Sequence, residues 1–173
     1  MKISSFATLS LWISLWVGLS PSLAQTPEPS WQPFNKALEE ARTSGKKTLV
    51  FIYTDWCPWC RKFQREVFPD SLVYQYMHQH FALTKLNAES TESVPYGEQS
   101  VPMRDLARAL GGEGFPTITF LNEKGEYITR LPGFVPDSSF LIILQYIAED
   151  AYKTIPFEEY MSKRQKSDEQ SNR

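Results

Sequence analysis

The sequence predicts an α/β fold with a mixed central β-sheet covered by helices on both faces. Three observations predict it. The uninterrupted β-branched and aromatic run Thr48-Leu49-Val50-Phe51-Ile52-Tyr53-Thr54 is the pattern of a strand buried on both faces. Segments of helical period stand before and after that run, so helix and strand alternate. Two short strands about Asn122-Glu123-Lys124-Gly125 then close the pattern with a hairpin.

The elements follow in order. Beyond Pro27 and Pro29, Phe34, Ala37, Leu38 and Ala41 recur at helical spacing, and Gly45 supplies a stop. After the first strand, Arg61 to Phe68 reads as a helix with Cys60, Phe63 and Val67 on one face, ended by Pro69. Ser71 to His80 reads as a short helix and Phe81 to Asn87 as a strand. Ala88 to Val101 is polar, carries Pro95 and Gly97 and has no period, so a loop is expected. Met103, Leu106, Ala107 and Leu110 mark a helix face that Gly111-Gly112 closes. Thr117–Leu121 and Tyr127–Leu131 are the hairpin strands, and Asp137 is placed to cap a last helix from about Ser138 to Tyr152. From 156 onward the chain is charged, and Lys163 to Arg173 has no apolar residue, so a disordered tail is expected.

Lys2, an apolar stretch from Phe6 to Leu19 and then Pro21-Ser22-Leu23-Ala24 form the charged, apolar and small-residue order of a signal peptide. The stretch is shorter than the roughly 20 residues a span needs, so residues 1–24 are read as cleaved and the chain as exported and soluble from Gln25. Residues 25–155 are then one domain, expected to be a monomer. With 18 Lys and Arg against 20 Asp and Glu, a formal charge of −2 and no basic motif, nucleic-acid binding is excluded. His78 and His80 stand two apart on a helix and point in different directions, which argues against a metal pair.

Both cysteines of the chain sit in Trp56-Cys57-Pro58-Trp59-Cys60. A bridge across two residues closes too short a loop to stabilise a domain much. It is well suited to be an exchangeable bond, so the spacing favours redox chemistry over a structural role.

That motif after a buried strand, Phe115-Pro116-Thr117 before a hairpin and Lys85-Leu86-Asn87 on the intervening strand resemble the thioredoxin superfamily. The resemblance runs from about Phe34 to Tyr152. It is nearest to exported thioredoxin-like proteins, including the C-terminal periplasmic domain of the transmembrane thiol:disulfide interchange reductases, with which Asp55 to Arg61 and the Val67-Phe68 pair are shared. The implied fold is the thioredoxin fold. The implied function is an exported thiol–disulfide oxidoreductase acting on disulfides of envelope proteins, kept reduced by a membrane thiol–disulfide electron donor, with no cofactor beyond its own redox-active disulfide.

Cys57, at the start of a helix, meets unsatisfied N–H groups and the positive end of the helix dipole, which favour a thiolate, so it is the expected nucleophile. Cys60, one turn on, is the expected resolving cysteine. Pro116 resembles the family's cis-proline, whose implied purpose is to present the Phe115 backbone to an extended substrate, with Trp56 supplying apolar surface. Pro58, Trp59 and Lys85 are the expected redox-tuning residues. Two positions depart from the family. Phe51 stands where thioredoxins carry a buried acid, leaving water or Glu66 to take the resolving cysteine's proton, and the loop from Ala88 to Val101, with Glu89, Glu92 and Glu98, is longer. Two other functions fit the same residues: a Cu(I)-binding module, because paired thiolates suit that soft ion, and a redox-inert peptide binder.

Overall fold

A computed structural model describes residues 28–171, and the segment read as a signal peptide lies outside the described residues. Helix α1 (Phe34–Ser44) ends at Gly45, whose φ of 72° is the left-handed conformation that stops a helix without a Cβ clash. Strand β1 (Lys47–Tyr53) follows and is buried along almost its whole length, as the two-sided apolar run requires. Helix α2 (Pro58–Lys62) runs directly into one wide π-turn, Phe63–Val67. Next come α3 (Ser71–His80), capped by the Asp70 carboxylate on the N–H groups of Leu72 and Val73, and β2 (Phe81–Asn87). The remaining elements are β3 (Ser93–Tyr96), β4 (Gln99–Pro102), α4 (Met103–Ala109), β5 (Thr117–Leu121), β6 (Tyr127–Pro132), α5 (Asp137–Ala148), a 3-10 turn (Ala151–Lys153) and α6 (Phe157–Ser171).

The main sheet has the order β2-β1-β5-β6, with β1 parallel to β2 and antiparallel to β5, and β5 antiparallel to β6. The alternation of strand side chains divides the core into two layers. Val50 and Ile52 face Phe34 of α1 and Leu106 and Ala107 of α4. Leu49 and Phe51 face the opposite side, with Cys57, Cys60, Phe63, Phe68, Val73, Met77, Phe140 and Leu144. Helices therefore cover both faces, and the cysteines belong to the larger layer. Among the described residues no helix is long and apolar enough to cross a membrane.

Four local readings are corrected. The segment 88–101 is not a bare loop: β3 and β4 form a separate antiparallel pair, Val94 opposite Val101. Its short strands lack an apolar alternation of their own, and the Tyr96 ring rests 5.9 Å from that of Phe34. The helix after the cysteines is not α-helical throughout, because the Phe68 N–H bonds Phe63 O at 3.1 Å. This five-residue hydrogen bond lets Phe63, Val67 and Phe68 all be buried on one side, which an α-turn would not allow. Asp137 is the first residue of α5 rather than its cap, since Pro136 holds that position and no side chain caps the helix.

The chain from 156 is also not disordered over the described residues. Helix α6 buries Tyr160, whose hydroxyl donates to Glu149 Oε2 at 2.8 Å, while Arg164 donates to Glu149 Oε1 at 2.6 Å. Burial, reinforced by the Glu149 charge, pushes the neighbouring Tyr76 phenol up to about 12. Charged residues dominate the composition of this segment, but two aromatic anchors, Phe157 and Tyr160, pack on Tyr146 and fix it.

Candidate active site

β1 carries the chain to the site along a buried track and stops at Tyr53, where Cys57 N–H turns back to Thr54 O at 3.3 Å. Cys57 is then the N-cap of α2, and Pro58 is pre-shaped for the first helical turn, where no N–H is needed. The Cys57 sulfur accepts the Cys60 N–H at 3.0 Å. Cys57 and Cys60 are disulfide-bonded, with Cα atoms 5.3 Å apart. Cys57 is 2% exposed and Cys60 wholly buried. A thiol approaching from solvent therefore reaches Cys57 first, and once the bridge is reduced the Cys60 N–H remains aimed at a Cys57 thiolate.

The Phe115–Pro116 bond is cis, and Phe115 packs against the core layer that holds both cysteines. Pro116 O accepts the Gly133 N–H at 2.8 Å, a contact that uses the left-handed φ of 82° at Gly133. Thr117 Oγ1 donates to Gly114 O at 2.7 Å, tying down the other side of the turn. Among the described residues neither the N–H nor the C=O of Phe115 has a backbone partner. Around these groups lies unusually exposed aromatic surface: Trp56 is 61% and Trp59 54% exposed. Trp56 meets Phe115 edge-on at 6.1 Å, and Trp59 meets Phe134 at 5.5 Å. A cleft of about 300 Å³ is lined by Trp59, Phe115, Gly133 and Phe134.

A polar frame holds the other flank. Asn87 donates to Asp55 Oδ2 at 3.1 Å and accepts the Glu89 N–H at 2.9 Å, and Glu89 Oε1 accepts the Trp56 indole N–H at 2.9 Å. In the sequence Glu89 stands only in a loop longer than the family's, and Phe134 carries no mark at all. Glu89 stands 33 residues from its partner, and Phe134 shows only as an aromatic after a glycine. Replacing Glu89 by alanine is expected to free the indole and lower kcat/KM for protein disulfides about fivefold, the scale of one partly exposed hydrogen bond to a charged acceptor, whereas E89Q keeps an acceptor and most of the rate. Steady-state kinetics with Trp fluorescence anisotropy checks this, and an E89A rate equal to wild type would remove the positioning role.

Lys85 lies opposite Phe51 in the parallel register and so on the same face of the sheet, partly buried. Among the described residues it forms no ion pair within 4.0 Å. Phe51 itself is fully buried between Trp31, Tyr53, Phe63 and Phe68. Glu66 pairs with Lys62 at 3.2 Å and is half exposed, so it does not replace the missing buried carboxylate.

A disulfide at a helix N-terminus, flanked by exposed aromatic rings and by the cis-proline turn, has the arrangement of the thiol–disulfide oxidoreductase class. The chain belongs to the thioredoxin-like family: the family model described as a thioredoxin-like domain matches residues 34–148. It is 35% identical over 107 residues to the thiol:disulfide interchange protein DsbD of Vibrio cholerae, covering 61% of this chain and 16% of that protein. It is 27% identical over 107 residues to the disulfide bond reductase DsbH of Chlamydia pneumoniae, covering 61% of this chain and 63% of that one. Among solved structures, a Bacteroides thetaiotaomicron protein described as a putative disulphide-isomerase superposes with a TM-score of 0.56 at 30% identity, over 71% of this chain and 95% of its own. A thioredoxin from Thermus thermophilus superposes with a TM-score of 0.57 at 26% identity, over 70% and 88%.

Proposed function

We propose that this chain is an exported thiol–disulfide oxidoreductase that reduces or exchanges disulfides of envelope proteins. The observation that carries the reading is the buried-track delivery of Cys57 to a helix N-cap, with the Cys60 N–H on its sulfur. In the reductive direction the Cys57 thiolate attacks one sulfur of a substrate disulfide. The substrate S–S bond breaks, its other sulfur leaves as a thiolate that takes a proton from solvent, and a Cys57 mixed disulfide forms. Cys60, losing its proton to water, then attacks the Cys57 sulfur, releases the second substrate thiol and leaves the protein oxidised. A dithiol donor, by the likeness to the interchange proteins a membrane one, returns the two electrons. Trp56 and the Phe115 backbone receive the substrate as an added strand.

The redox poise follows from what surrounds Cys57. Phe51 removes the negative charge that a buried acid would set against a thiolate, and the helix terminus and Cys60 N–H favour it. Stabilising the thiolate stabilises the reduced protein, so the expected potential is less negative than the approximately −270 mV of thioredoxin, near about −200 mV. Equilibration with glutathione, followed by Trp56 and Trp59 fluorescence, measures it. The protein purified from its native envelope is expected to begin at Gln25 and to reduce insulin disulfides, and a protein that retains Met1 or leaves insulin intact would overturn the corresponding half of the proposal.

A further inference from the structure

We propose that Phe134 and Lys62 form a specificity subsite that selects substrate segments carrying a bulky apolar residue followed by an acidic one next to the reactive cysteine. The inference rests on the oxidoreductase reading above and names its substrate class. The cleft beside the bridge is walled by the rings of Trp59, Phe115 and Phe134, and Gly133 contributes no side chain to it. At about 300 Å³ it is at the small end of ligand pockets, a space for one side chain. Phe134 is the fixed wall. Its ring stands 5.7 Å from Phe63 of the core and 5.5 Å from Trp59, which is itself more than half exposed and faces the cleft.

The charge at the rim is equally specific. Lys62 Nζ stands 5.3 Å from the centre of the Phe134 ring. The two neighbouring cations point elsewhere: Arg61 donates to Asp55 O at 2.7 Å, on the Trp56 flank, and Arg65 lines the separate cleft beside Trp31. Of the three cations on this helical stretch, Lys62 is therefore the one that stands against the Phe134 wall of the cleft. Its partner Glu66 is an exposed neighbour one turn along the helix, and such a pair contributes so little that a substrate carboxylate can replace it. An apolar side chain in the cleft places the next residue of an extended segment at the rim, where an acid meets Lys62 and a lysine meets repulsion.

The test uses the full-length reduced protein and synthetic peptides whose single cysteine is a mixed disulfide with 2-mercaptoethanol. The cysteine is flanked by Phe-Asp, Ala-Asp or Phe-Lys, placed before it in one series and after it in another. In one series the second-order rate constant for a single turnover of the reduced protein with the Phe-Asp peptide is expected to exceed that for Ala-Asp roughly tenfold, from burial of the ring, and that for Phe-Lys about threefold, from the surface charge. Phe134→Ala is expected to collapse the first ratio, and Lys62→Glu, at a half-exposed position that keeps the test open if the first variant folds poorly, to invert the second. Bis(2-hydroxyethyl) disulfide separates the two levels of argument. If the wild-type protein does not reduce this small neutral compound, the oxidoreductase reading itself fails; if it does so yet treats the three peptides alike in both series, the subsite is refuted and the reading stands.

Discussion

Cys57→Ser is expected to abolish insulin-disulfide reduction, a loss of at least about a thousandfold, the scale on which removal of a covalent nucleophile acts. The reason is positional. Cys57 alone has its sulfur at the helix N-cap with a backbone N–H upon it and a surface for an incoming sulfur to touch, while Cys60 is sealed beneath. Serine at the same point offers a hydroxyl that stays protonated at neutral pH and forms no exchangeable bond. Cys60→Ser is expected to behave differently: it still attacks, then stalls with substrate attached, because the second displacement has no thiol. Non-reducing gels should show protein-sized adducts for C60S and none for C57S. Iodoacetamide labelling of the reduced wild type decides the order, since alkylation of Cys60 ahead of Cys57 at neutral pH would mean that the roles are exchanged.

The second large effect is expected at Phe51, which lies at the centre of one half of the core with no solvent exposure. Truncation to alanine removes the ring that Trp31, Tyr53, Phe63 and Phe68 all touch, and is expected to cost about 3–5 kcal/mol. Since whole domains are stable by only about 5–15 kcal/mol, that is enough to bring the protein near its limit. Phe51→Asp, which restores the acid found in thioredoxins, carries a further pH signature. An unpartnered carboxylate among aromatic rings has its pKa raised on folding, so the folded state tolerates it best below the ordinary value near about 3.9 and loses stability as pH rises through the raised one. Urea unfolding of the oxidised variant at pH 4 and pH 8 measures this. Equal stability at the two pH values would mean that water or a cation, Lys85 being the nearest in register, reaches position 51.

What the sequence made legible had local causes. A strand buried on both faces needs an apolar run without alternation, and residues 48–54 supply one; the hairpin needs two β-branched runs and a glycine turn, and 117–131 has both. The redox pair is readable because its spacing is its chemistry. What stayed hidden depends on distant neighbours. The strands β3 and β4 carry Pro95 and hardly any apolar pattern, and are held against α1 and α4 rather than by their own propensity. Helix α6 is polar in composition yet ordered by two aromatic contacts and the Glu149 cluster. Glu89 and Phe134 become parts of the site only when the chain brings them beside Trp56 and Trp59.

The wide turn at Phe63–Val67 also decides where this stretch can change length. A turn closed by a five-residue hydrogen bond holds one residue more than an α-turn, so Phe63 and Phe68 stand one turn apart with five steps between them where a regular helix takes four. Deleting one residue among Gln64, Arg65 and Glu66 would close the same turn as an ordinary α-turn. Phe68 would keep its place in the core, and the cysteines would keep their phase relative to it. The width of the turn absorbs the extra residue, so the helix that carries the bridge and the aromatic residues beneath it stay in register whichever length the chain has there.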